Sequence, residues 1–138
     1  MKNQELITET HLSGNKSILN ISLQNFDLPA LVENVKDSRN WKQGEMNTMV
    51  LLKSTDKKVV LTALPEDTEI ESFQENDSIT VQIIEGRLRF HTRKVTVLLG
   101  RGQFLTLHQN IKYSMTTSKV KTIFLLTIAG GKMLAGVN

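Results

Sequence analysis

Glu75 and Tyr113 lead the few side chains in this chain that could do chemistry. They stand in the stretches "DTEIESFQENDSITVQIIEG" (67–86) and "GQFLTLHQNIKYSM" (102–115). A carboxylate turned into an apolar interior is pushed up in pKa and becomes a general base. In the setting "QEND", Glu75 reads equally well as a solvated loop residue. A free tyrosine phenol ionises only near pH 10, so without help Tyr113 is a poor base and a poor metal ligand. His11, His91 and His108 are scattered, and no Ser-His-Asp order can be built on them. The chain has no cysteine, which removes disulfides, thiolate metal sites and a thiol nucleophile. "LLGRGQF" holds one G-x-G, which is too little for a phosphate-cradling loop.

The elements that must position these residues are mainly strands. "SILNISL" (17–23) alternates and reads as a short strand. In "FDLPALVENVKDS", Asp27 can cap a helix with Pro29 in its first turn, and Leu28, Leu31, Val32 and Val35 make one apolar stripe. Beyond it, "MNTMVLLKS" and "KKVVLTALP" flank the turn "TDKK", and "SITVQIIEG", "RLRFH", "KVTVLL", "QFLTLH" and "VKTIFLLTIA" follow. Short strands separated by Gly, Asn or charged breaks predict a sandwich or barrel.

The totals bound the function classes. At 138 residues the chain is the size of one domain able to bury its own core. Seventeen Lys and Arg against 14 Asp and Glu give +3 and a pI near 9.3, a mild excess that serves solubility. With that balance and few aromatics, no nucleic-acid partner is expected. Arg87, Arg89, His91 and Arg93 share one face by the period of two, looking at solvent or a partner. "MKNQELITETHLSG" lacks the apolar core of a signal peptide, and no apolar run approaches the roughly 18 residues of a membrane span. A cytoplasmic protein without a membrane partner is the expectation.

From about Thr62 to Ala129 the chain resembles the cupins, small jelly-roll β-barrels. Their first motif, G-x5-H-x-H-x3-E-x6-G, is matched in spacing from Asp67 to Gly86, with Phe73 and Glu75 at the histidines and Ile79 at the glutamate. The second motif, G-x5-P-x-G-x2-H-x3-N, is matched from Gly102, with His108 at the proline, Asn110 at the glycine, Tyr113 at the histidine and Thr117 at the asparagine. In this alignment Phe73 and Tyr113 come opposite one another. Glycine suits the turn "EG" because it takes positive φ without penalty, and Asn110 tolerates the same region.

The resemblance implies an all-β fold: a cupin-like jelly-roll β-barrel with a short N-terminal helix. Residues 1–49 would form a strand and helix packing on the barrel or a partner subunit, 50–129 the barrel, and 130–138 a flexible tail. It implies a homodimer, since cupins pair sheets across a two-fold axis and the N-terminal strand lacks a partner within the barrel. It implies a ligand pocket inside the barrel, lined by Phe73, Glu75, Ile79, Val81, Phe104 and Tyr113. The function expected is a non-catalytic, metal-free cupin that binds or senses a small organic ligand, with no cofactor. The alternatives are a metal-independent isomerase or epimerase on a sugar-like substrate, using Glu75 or Tyr113, and a dimeric structural cupin with a filled barrel.

The ligand positions generate the first prediction. Phe73 and Ile79 have no lone pair to give, and one carboxylate does not make a transition-metal site. Protein purified without chelators is expected to contain no stoichiometric iron, manganese, nickel or zinc by elemental analysis. One equivalent per chain would refute it.

Overall fold

The computed structural model describes residues 23–74, 77–108 and 110–130, with Phe73 and Gln74 as backbone alone. The strand expected at 17–23, except for Leu23, lies outside these residues, as do His11, Glu75 and the tail from 131. Helix α1 (Leu28–Lys36) begins where Asp27 accepts the Ala30 amide on Oδ1 at 3.1 Å and the Leu31 amide on its carbonyl at 3.0 Å. Val32 and Val35 on its apolar stripe are buried. Ser38 caps the one-turn helix α2 (Arg39–Lys42) through a 3.2 Å bond from the Trp41 amide to its Oγ. Two compact units divide between Glu33 and Asn34, and every strand belongs to the second.

Among the described residues nine antiparallel strands follow: β1 (Asn47–Lys53), β2 (Lys57–Leu64), β3 (Glu69–Gln74), β4 (Asp77–Glu85), β5 (Arg87–His91), β6 (Thr96–Gly100), β7 (Phe104–Leu107), β8 (Ile111–Thr116) and β9 (Thr122–Gly130). They form a five-stranded sheet in the order β1-β2-β9-β4-β7 and a four-stranded sheet in the order β3-β8-β5-β6. Only the β1–β2 and β5–β6 connections stay within one sheet, and every other one crosses. That alternation is the jelly roll. Strands β3 and β8 are additions to the sequence reading. Strand β8 alternates Ile111, Tyr113 and Met115 with Lys112, Ser114 and Thr116, a period-two signal present in the sequence, whereas β3 puts Ser72 on the side of Ile70 and shows no clean apolar alternation.

The inner faces meet in one apolar cluster. Leu64, Ile79, Val81, Ile83 and Phe124 come from the larger sheet, and Leu88, Phe90, Leu99, Tyr113 and Met115 from the smaller. Hydrophobic burial on this scale is the main force closing the two sheets on each other.

The crossings depend on residues in the left-handed region. Asp67, Gly86, Gly102 and Asn110 have φ of 51°, 93°, 83° and 65°. They occupy the positions that the two aligned motifs reserve for glycine. Asp67 tolerates its conformation because its backbone and side chain are both tied down. Its amide donates to the Ser118 carbonyl at 2.7 Å, and its carboxylate takes a 3.0 Å bond from Lys119 that raises the lysine's pKa. Thr117, at the second motif's closing position, donates its hydroxyl to the Pro65 carbonyl at 2.6 Å and accepts the Thr68 amide at 3.0 Å. These bonds clasp the β2–β3 crossing to the β8–β9 crossing.

Gly86 makes the tightest corner. The sequence suggests a hairpin there, but β4 pairs with β7 and β9 while β5 pairs with β6 and β8, so the turn moves the chain between sheets. A Cβ on Gly86 would collide with the Lys121 carbonyl oxygen and lie 2.7 Å from Thr122 Oγ1. Gly102 has a similar φ but open space around it. Gly86→Ala is therefore expected to cost about 2–5 kcal/mol, combining left-handed strain with a clash against backbone. Gly102→Ala should cost about 1–2 kcal/mol, from strain alone. Urea unfolding of both variants checks this, and equal losses would show that the corner is not sterically closed.

Candidate functional site

Strands β4 and β8 carry two of the four positions at which the aligned motifs place metal ligands, Ile79 and Tyr113. Ile79 is 2% exposed and Tyr113 4%, and both sit in the apolar cluster. The Tyr113 ring stacks on Phe90 with centroids 5.0 Å apart and planes 14° from parallel. Such a pair contributes about 0.5–1.5 kcal/mol beyond its area. Val81, two residues beyond Ile79, is fully buried in the same cluster. Ile79, Val81 and Tyr113 thus belong to one apolar cluster.

The other proposed lining residues are placed differently. The β3–β8 register sets Ser72, rather than Phe73, opposite Tyr113, and sets Lys112 opposite Phe73. Phe73 and Tyr113 therefore hold positions of opposite parity in the ladder. Phe104 is 63% exposed on edge strand β7, where Leu105 and Leu107 pack against the core. The period of two that turns those leucines inward turns Phe104 outward, beside exposed Gln82. Glu75 lies outside the described residues.

A cupin metal would need imidazole and carboxylate groups converging on one point. Among the described residues no three His, Asp or Glu side chains do so. Ile79 cannot coordinate, and Tyr113 is committed to a ring stack. The described residues do not fit a metal.

His91 lies on the outer face of the four-stranded sheet with exposed Arg87 and Arg89, as the period of two predicts. Arg93 stands beyond the end of β5, in the turn to β6. The His91 ring spans its sheet, with Nδ1 3.1 Å from Thr96 Oγ1 and Nε2 3.3 Å from Thr116 Oγ1. Both nitrogens are thus occupied locally. His108 is exposed beyond the end of β7. The "GRGQ" turn also spends its amides internally. Gly100 donates to Gln103 Oε1 at 2.7 Å and Gly102 to the Ile83 carbonyl at 2.8 Å.

Two adjoining hollows open beside the β5–β6 turn, sharing Thr92, Arg93 and Lys112. One, of about 330 Å³, is bordered by Glu71, His91, Tyr113 and Ser114. The other, of about 460 Å³, is bordered by Val95, Leu107 and Ile111 together with polar groups. Leu107 also packs against the barrel cluster, so this second hollow reaches the end of the core. Sequence reading did not find it, because the turn and the β7–β8 connection become neighbours only through the two sheet crossings on either side of β7.

No family model matches the chain, and no curated protein sequence matches it. Solved structures do. TT1209 from Thermus thermophilus superposes with a TM-score of 0.65 at 16% identity, over 78% of this chain and 98% of that one. The cupin domain of Cnp3 from Schizosaccharomyces pombe gives 0.60 at 13% identity, over 66% and 69%. The Cupin_2 domain of an XRE family transcriptional regulator from Enterobacter cloacae gives 0.56 at 17%, over 61% and 95%. With the two antiparallel sheets and their crossings, these likenesses show that the chain has the cupin jelly-roll fold.

Proposed function

We propose that the protein is a metal-free, non-catalytic cupin that binds or senses a small organic molecule at the end of its barrel. The observation that carries this reading is the hollow of about 460 Å³ against Val95, Leu107 and Ile111. Its volume falls in the range of small-molecule sites, and it joins apolar lining to a few polar groups. The interior supports the reading by its composition. Ile79, Val81 and the stacked Tyr113 present no metal ligand set and no aligned acid–base pair, which favours binding over turnover. The adjoining hollow shares Thr92, Arg93 and Lys112 with it, so a longer ligand would reach across Lys112 toward His91.

A screen of small metabolites by thermal shift tests this. A true ligand at a hundredfold excess over its dissociation constant stabilises the folded state by about 2.7 kcal/mol and raises Tm. Ile111→Asp is expected to abolish the shift, since it puts a charge on the apolar lining. A screen in which no compound moves the wild type would sink the ligand reading. Turnover that disappears in Glu75→Gln while binding persists would replace it with the isomerase reading.

The continuity of the apolar cluster favours a second reading, a filled barrel whose role is to pair with a copy of itself. We propose the homodimer in either case. Exposed Phe104 on edge strand β7 and Val50 on edge strand β1 are apolar surface beside sheet edges that no described strand pairs, and proteins usually cover such edges. Light scattering is expected to give twice the chain mass of 15.6 kDa. A monomer at all concentrations would contradict it.

A further inference from the structure

The hollow proposed above as a ligand site has a charge pattern that narrows its occupant, and this inference rests on that reading. Among the described residues its lining carries three cationic side chains, Arg93, Lys94 and Lys112, and no carboxylate. None of the three forms an ion pair with a carboxylate among the described residues. The hollow beside Lys53, Lys57 and Lys58 differs, because Asp56 and Asp77 line it too. Glu71 likewise borders the adjoining hollow next to His91.

The cations are held on a braced platform. Thr92 donates its amide to the Val95 carbonyl at 2.8 Å, and its hydroxyl oxygen accepts the Lys94 and Val95 amides at 3.2 Å each. Arg93 and Lys94 thus ride on a turn whose backbone is bonded to itself, while Lys112 comes from strand β8. Beneath them Leu107 and Ile111 are half-buried, and Val95 at the rim is 54% exposed. Like charges around one concavity repel each other and raise the local concentration of anions. The guanidinium offers a planar fork, and the ammoniums offer point charges, which together suit carboxylate or phosphate oxygens. The apolar lining asks for carbon attached to that head group.

We propose that this hollow binds a small organic anion with an apolar body, its carboxylate or phosphate monoester head held by Arg93, Lys94 and Lys112. An uncharged molecule of the same shape would leave the three cations uncompensated and bind more weakly.

Calorimetric titration of the full chain with octanoate, octyl phosphate, 1-octanol and inorganic phosphate tests this. Octanoate or octyl phosphate is expected to bind about tenfold or more tightly than octanol, a difference of about 1.4 kcal/mol, and the tighter of the two identifies the head group. Inorganic phosphate, lacking the body, should bind more weakly than octyl phosphate. Arg93→Gln with Lys112→Gln should remove most of the advantage over octanol, and added salt should erode it as screening shortens the reach of exposed charges. Val95→Glu, at a rim position that is 54% exposed, should repel the anion and weaken its binding about tenfold. Octanol binding as tightly as octanoate, with no effect of the double variant, would overturn the anion inference and leave the ligand site standing. Anion binding indifferent to Val95→Glu, or no binding by any of the four compounds, would overturn both.

Discussion

At the corner between β4 and β5 the chain leaves one sheet and enters the other with Gly86 packed against the backbone of Lys121 and Thr122. The absence of a side chain there lets the two strands turn without separating the sheets. Thr122 completes the joint from the start of β9: its buried hydroxyl accepts the Arg87 amide at 3.2 Å and donates to the Arg87 carbonyl at 2.7 Å. Three strands are therefore indexed to each other at one point. The β4–β9 register places Ile83 opposite Phe124 and Val81 opposite Leu126, and β5 delivers Leu88 and Phe90 from the facing sheet. Because strand side chains alternate, a slip at this corner would turn the whole inner set outward.

What that register brings together is a core where the aligned motifs call for a metal centre. Residues at metal-ligand positions point inward in a barrel of this kind, and inward positions must be filled or hydrated. Here isoleucine and a stacked tyrosine occupy two of them, inside the apolar cluster, with Ser72 set opposite the tyrosine. Concave surface with mixed lining is found instead at the barrel end, around the β5–β6 turn, where strands stop and loops from both sheets approach.

Charge follows the same division. The barrel core is apolar, with Thr122 bonded at the Gly86 corner and Thr117 clasping two crossings. Cationic groups lie on the outer face and the ends. Arg87 and Arg89 flank the Thr96–His91–Thr116 bridge on the four-stranded sheet, whereas Arg93, Lys94 and Lys112 converge on one hollow. The modest net charge thus conceals an uneven distribution, and position rather than total decides where an anion would be drawn.

Much of the fold was legible in the sequence. Apolar alternation marked most strands to within a few residues, Asp27 and Pro29 marked the helix start, and the motif spacing located the left-handed corners at Asp67, Gly86, Gly102 and Asn110. These are local features, set by side-chain period and backbone sterics within a few residues. The replacement of ligand-type residues by Phe73, Ile79 and Tyr113 was equally plain, since it depends on residue identity alone. Pairing was not. That "EG" is a corner and not a hairpin, that Ser72 faces Tyr113, and that Phe104 turns away from the interior are matters of register between strands distant in sequence. The stacking of Tyr113 on Phe90, and the convergence of Arg93 with Lys112 over Leu107, exist only once both sheets have closed. Residue identity determined what stands at the aligned ligand positions; long-range strand pairing alone decided where a concave, charged surface would form, because it sets which distant side chains become neighbours.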